Sequence, residues 1–343
     1  MTRIFIGKIL VLIDYEAIAL QTSVDDVRGV YAIMPTPAVP NATDPGLVDT
    51  IDYDETRVAV EKLITDGVSA ILTTGTFGEG ASLLVEELEA FANTVVETSK
   101  GRVPIFVGAT SLNTRETIAR ARRLKDLGVS GLLLGRPMWS PCDDDDIVRY
   151  YKSVAEAVPE LAIIVYDNPE AFKGKISPKV YSKLAEIPQI VAAKYPGLAG
   201  GFIADLEAVN ERIRLLPVER DWYYAWKWAP DQVVACWSGS ASCGPSAIVQ
   251  LAKMIEAGEE AGALAISREL AAASKTFFPK GSFALFSQYN VQLEKIRINK
   301  AGYINAGPCR PPYVSCPEDY AEGARQSGVL LAQLHHKYSK KSD

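Results

Sequence analysis

Two side chains at the ends of apolar runs carry the first chemical signal. Tyr166 closes Leu161-Ala-Ile-Ile-Val-Tyr166, and Lys194 closes Ile190-Val-Ala-Ala-Lys194, with Tyr195 directly after it. Runs so apolar and rich in β-branched residues read as strands buried on both faces, and Pro178 to Glu186 between them reads as a crossover helix. The unit is βαβ, so its strands are parallel and both side chains lie at the carboxyl end of the sheet, where α/β proteins keep their chemistry. An ammonium at the rim of a dry barrel tends to lose its proton, because desolvation disfavours the charged form, and the neutral amine attacks carbonyl carbon. Schiff-base chemistry follows from that. A lysine ending a strand can equally snorkel to solvent, and position alone does not separate the two.

A second candidate is Gly75-Thr76-Phe77-Gly78-Glu79. Its glycines let the backbone turn sharply and aim amide hydrogens at an anion, so a small carboxylate fits there, although a plain strand-to-helix turn accounts for the pattern as well. Asp143 to Asp146 looks like a cation site by charge but falls where a helix begins, and acidic residues there stabilise the positive end of the dipole. We read it as a cap.

Metal and triad chemistry both lack parts, since the only histidines are His335 and His336, adjacent in a polar C-terminal tail. The five cysteines, at 142, 236, 243, 309 and 316, contain no C-x-x-C pair, and an odd number fits a reducing compartment. A net charge of -6 with no basic stripe argues against nucleic acid. The run Ile4 to Leu20 is interrupted by Asp14 and Glu16, which argues against a signal peptide or a membrane span. A cytoplasmic protein is expected, with residues 1–26 as a frayed or docking arm.

The elements that must position Tyr166 and Lys194 repeat along the chain. Strands are expected at Val27–Thr36, Val68–Thr74, Val103–Gly108, Gly131–Gly135, Leu161–Tyr166, Ile190–Tyr195, Ile213–Val218 and Gln232–Ser238, with helices from Tyr53, Val85, Thr114, Asp143, Pro178, Phe202, Trp222 and Pro245. Eight βα units and 343 residues predict an α/β fold, a closed (β/α)8 (TIM) barrel over residues 27–251. Beyond Leu251 only helical patterns remain, so 252–343 is expected as a C-terminal helical extension. It would be interrupted by Ala306-Gly-Pro-Cys-Arg-Pro-Pro-Tyr313.

Gly75-Thr-x-Gly-Glu79, Tyr166-x-x-Pro169 and Lys194 on strand six together resemble the dihydrodipicolinate synthase and N-acetylneuraminate lyase family of pyruvate-dependent class I aldolases. Within it the chain is most similar to the hydratase-aldolases of aromatic degradation, through Gly75-Thr-Phe-Gly-Glu79, Asp167-Asn-Pro-Glu-Ala-Phe172 and Gly307-Pro-Cys-Arg-Pro-Pro-Tyr313. Those enzymes act on benzylidenepyruvates. The resemblance implies Lys194 as the Schiff-base lysine, Tyr166 as the proton-relaying phenol, and Gly75, Thr76 and Phe77 as the carboxylate site. It also implies a homotetramer, a 2-oxo acid as the small-molecule partner, and no metal or organic cofactor.

Two departures bear on substrate. Phe77 stands where many members have a second hydroxyl residue. Arg136-Pro-Met-Trp-Ser-Pro141 lacks the tyrosine that the synthases lend to a neighbouring subunit. Met138, Trp139, Trp226, Trp228 and Trp237 suggest an apolar mouth. By order and surroundings, Trp237 and Asn290 match the residues with which the hydratase-aldolases hold the attacking water. Trp237 also reads as core and Asn290 as a solvated cap residue, with Gln288 competing for its place. The alternatives are a sugar-acid lyase or a synthase of the same family, and a non-catalytic 2-oxo acid binder.

Overall fold

In the computed structural model, residues 3–6, 9–12, 22–199 and 201–339 are described. The strands form where the apolar runs predict: β1 Gly29–Ile33, β2 Ala70–Thr73, β3 Ile105–Gly108, β4 Gly131–Leu134, β5 Ala162–Tyr166, β6 Ile190–Lys194, β7 Arg214–Leu216 and β8 Ala235–Ser238. Nearly every strand position is buried, as parallel strands covered on both faces require. Each pairs in parallel with its sequence neighbour, and β8 returns to β1. The bridge between Val218 and Trp237 closes the ring between β7 and β8.

Helices α1 Tyr53–Thr65, α2 Val85–Ser99, α3 Thr114–Asp126, α4 Asp144–Ala157, α5 Pro178–Leu184, α6 Phe202–Val209, α7 Trp222–Trp228 and α8 Ser246–Glu256 alternate with the strands. Asp143 caps α4 by accepting from the Asp146 amide at 2.8 Å, so the acidic run is a helix start. The helix expected from Phe202 stops at Val209, because Asn210 turns left-handed at its end.

Past the barrel come α9 Glu260–Ala273, α10 Phe283–Ser287, α11 Asn290–Ala301 and α12 Glu318–Ser339. Between Glu260 and Ala301 the helical pattern expected beyond Leu251 is three helices with short turns between. Pro279 and a left-handed Lys280 break the pattern. Phe277, Phe286, Leu293 and Ala324 give this cap a small core of its own. His335 is not in a polar tail. It lies on α12, its ring 4.9 Å from that of Tyr303 and its Nδ1 2.9 Å from Ser246 Oγ at the start of α8. At the other terminus, Arg3–Ile6 and Ile9–Leu12 pair as an antiparallel hairpin separate from the barrel sheet. The remainder of the run Ile4 to Leu20 lies outside the described residues.

One buried ionic cluster ties cap to barrel. Glu79, at the end of the glycine loop, pairs with Lys295 of α11 at 2.7 Å and with Arg310 of the irregular segment. Arg310 also donates from its main-chain amide to Glu79 Oε1 at 2.6 Å, from Nε to Thr50 Oγ1 at 2.6 Å, and to the carbonyls of Thr36, Pro37 and Thr50. Removing one member of a buried pair leaves the other charge uncompensated. Arg310→Met is therefore expected to lower unfolding free energy by about 3–5 kcal/mol, read from urea denaturation. A loss below about 1 kcal/mol would mean that Lys295 alone satisfies Glu79.

Candidate active site

The carboxyl ends of β2, β5, β6 and β8 meet in one cavity. Its wall includes Gly75, Thr76, Phe77, Tyr166, Asn168, Lys194, Trp237 and Asn290. The catalytic and carboxylate-site candidates named from sequence, Gly75, Thr76, Phe77, Tyr166, Lys194, Trp237 and Asn290, all line it. Gln288, the competitor of Asn290, is exposed and is not part of the wall.

Tyr166 and Lys194 are register partners at the ends of β5 and β6. A register shift at Ile163/Ile164 inserts Val191, so Ile164 pairs with Ala192 and Tyr166 meets Lys194. Without it Tyr166 would face Ala193, and a one-residue slip sends side chains to the other face. The Lys194 amine lies 4.7 Å from the Tyr166 ring centre and 3.5 Å from the Trp237 ring centre. Burial pulls its pKa from 10.5 down to about 7, against the opposing fields of Glu294, Glu219 and Asp167. A large fraction of the lysine is therefore unprotonated, and nucleophilic, near neutrality.

The Tyr166 hydroxyl lies 2.7 Å from Thr76 Oγ1 and accepts from Asn168 Nδ2 at 3.2 Å. Burial raises its pKa, and the bonds from Thr76 and Asn168 offset part of that rise. The resting group is a neutral phenol able to give a proton. Its ring is held edge-on by Phe172, at 5.3 Å. Phe172 occupies the space that Gly135 leaves, where an added Cβ would come within 2.0 Å of that ring. The Asp167-Asn-Pro-Glu-Ala-Phe172 motif therefore acts on Tyr166 twice, through Asn168 and Phe172.

The glycine loop is equally constrained. Thr74 is left-handed at φ 51, a strained state for a β-branched residue, and a Cβ on Gly78 would lie 2.6 Å from the Thr74 amide nitrogen. The tight turn presents Thr76 and Phe77 to the cavity. Phe77 itself is buried, so its ring is one of the apolar walls.

Trp237 does not offer its N–H to the cavity. Nε1 donates to the Tyr195 carbonyl at 2.8 Å, which fixes the indole so that its face meets Lys194. Asn290 opens α11, and its Oδ1 is buried with no partner among the described residues. The mouth differs from the sequence expectation. Trp139 and Trp228 are exposed, Trp226 is buried, and none of the three lines the cavity. Helix α7 contacts α9, and its Trp222 and Trp226 are part of the hydrophobic core, with Trp222 Nε1 donating to the Val233 carbonyl at 3.1 Å. Cap residues Phe277, Phe278, Phe283 and Phe286 form the apolar wall instead, with the Phe277 and Phe286 rings 4.8 Å apart and tilted by 55°.

Sequence reading did not single out Glu219, Arg220, Glu294 or Arg297, all of which line the cavity. Asn290, Glu294 and Arg297 stand at i, i+4 and i+7, one face of a helix. That spacing was the available signal, although a polar stripe ordinarily faces water. Among the described residues no group of three or more His, Cys, Asp and Glu side chains could hold a metal ion. No described helix is long and apolar enough to cross a membrane, and all five cysteines are free.

A closed barrel with a desolvated strand-six lysine beside a phenol defines a class, the (β/α)8-barrel lyases. The Dihydrodipicolinate synthetase family model matches residues 32–327, and the chain belongs to that family. A trans-O-hydroxybenzylidenepyruvate hydratase-aldolase of Pseudomonas putida is 48% identical over 320 residues, 92% of this chain and 96% of the relative. A trans-2'-carboxybenzalpyruvate hydratase-aldolase of a Nocardioides species is 45% identical over 316 residues, 91% of this chain and 95% of the relative. The solved structure of PhdJ bound to substrate intermediate superposes with a TM-score of 0.91 at 48% identity, covering 92% of this chain and 99% of that one.

Proposed function

We propose that the protein is a hydratase-aldolase that converts a trans-benzylidenepyruvate, with an o-hydroxy or 2'-carboxy ring, and water to an aromatic aldehyde and pyruvate. The observation that carries this reading is the Lys194 amine, with its pKa near 7, in a cavity walled by phenylalanines. The amine attacks the ketone of the 2-oxo acid and, with loss of water, gives an iminium that draws electrons from the conjugated double bond. Gly75, Thr76 and Phe77 hold the substrate carboxylate, Phe77 through its main chain. Water held near Asn290 and Trp237 adds at the far carbon. Tyr166, its proton already given to the hydroxyl that left as water when the iminium formed, then takes the proton of the new hydroxyl as the carbon–carbon bond breaks, its phenolate favoured by the iminium alongside. Aldehyde leaves, the pyruvate enamine is protonated, and hydrolysis frees Lys194.

The scheme needs no metal or organic cofactor. Assembly as a homotetramer and work in the cytoplasm belong to the same reading. A sugar-acid lyase would need polar donors where the cap phenylalanines stand. A passive 2-oxo acid binder has no use for a lysine poised to lose its proton.

The test follows the loss of conjugated absorbance of a benzylidenepyruvate, with pyruvate coupled to a dehydrogenase. We expect kcat/KM for the aryl substrate to exceed that for a sugar acid, or for pyruvate with aspartate semialdehyde, by about 10²-fold or more. The reverse order would overturn the substrate assignment while leaving the role of Lys194 standing.

A further inference from the structure

Among the described residues, three buried polar atoms of the cavity lining have no protein partner: Asn290 Oδ1, Glu219 Oε2 and Arg297 Nε. Glu219 is 2% exposed and sits just past β7. Its Oε1 accepts from Ser240 Oγ at 2.6 Å, and its amide donates to the Trp237 carbonyl at 3.1 Å. It is thereby tied to the residue whose ring covers Lys194. Glu294, by contrast, has Oε2 held by Arg297. A Cβ at Gly239 would lie 3.4 Å from Arg297 Nη2 and 3.7 Å from Glu294 Oε1, so this glycine leaves the charged pair room against the cavity. A buried carboxylate oxygen without a donor is costly unless something occupies the space beside it.

We propose that Glu219 is a further catalytic residue, its free Oε2 taking a proton from the water that adds during hydration while Asn290 Oδ1 accepts the other hydrogen. This rests on the hydratase-aldolase reading. A water that donates to both acceptors keeps a lone pair for the substrate carbon. The oxygen bonds to the carbon bearing the ring, and the double-bond pair shifts towards the iminium, whose own π pair moves onto nitrogen to give an enamine. One water proton passes to Glu219. The enamine then returns its pair and takes that proton at the carbon between, so the carboxylate is restored and one water has been added.

The test separates hydration from cleavage. Full-length wild type, Glu219→Gln and Glu219→Asp are assayed with a benzylidenepyruvate, and separately with its hydrated adduct, a 4-aryl-4-hydroxy-2-oxobutanoate. Pyruvate trapping at Lys194 by borohydride is measured in parallel. We expect Glu219→Gln to lose about 10²-fold or more in consumption of the unsaturated substrate and less than about threefold in cleavage of the adduct. Trapping should be intact, and Glu219→Asp should recover part of the hydration rate. Equal loss in both reactions, loss of trapping, or no loss in either overturns the assignment, the first two by making Glu219 a counter-charge for Lys194. A wild type that cleaves the adduct but leaves the unsaturated compound untouched overturns the hydratase reading, and this assignment with it.

Discussion

Replacing Lys194 by alanine is expected to lower turnover at least about 10⁴-fold, because a covalent mechanism without its nucleophile keeps only what binding and orientation supply. The same change should abolish the mass increase that pyruvate and borohydride leave on the wild-type chain. Peptide mapping of that adduct is the check, and mass on a lysine other than Lys194 would sink the assignment. The pH profile should carry the same signature. Burial penalises the ammonium, so the free enzyme sheds this proton near pH 7 and not near 10.5. Below that pH the amine is protonated and cannot attack. The acid limb of kcat/KM should therefore rise through about pH 7. A limb rising only in the alkaline range would mean that the charge on Lys194 is compensated and the amine is not poised.

Tyr166→Phe carries the second largest expected effect, a loss of about 10²–10⁴-fold in kcat with KM changed by less than about threefold. The split follows from the packing. Phe172 at 5.3 Å and Gly75 beneath the ring hold a phenylalanine as well as a tyrosine, so substrate still meets the same wall. What disappears is the hydroxyl between Thr76 and Asn168, which acts only while a proton moves. A loss confined to KM would make Tyr166 part of the pocket wall and move the relay elsewhere.

Sequence alone determined the barrel. Its strands are apolar at nearly every position and recur with helices between, a pattern set by local burial and connection length. It also placed Tyr166, Lys194 and the glycine loop at one end, because parallel strands share a direction. Register was not legible. The extra residue Val191 that brings Lys194 opposite Tyr166 depends on how two strands fit within a closed ring, and no local pattern encodes that fit. The aromatic wall was misplaced for a related reason. Tryptophans near strand ends look like a mouth, but whether they face the axis or the outer ring depends on how each helix docks. Phe277, Phe278, Phe283 and Phe286 reach the site only because the cap folds back over the barrel, anchored through Glu79, Lys295 and Arg310. Asn290, Glu294 and Arg297 share one helix face in any α-helix. That this face is buried against Lys194 and not exposed to water is decided by the same docking, since burial is a property of what packs against a surface.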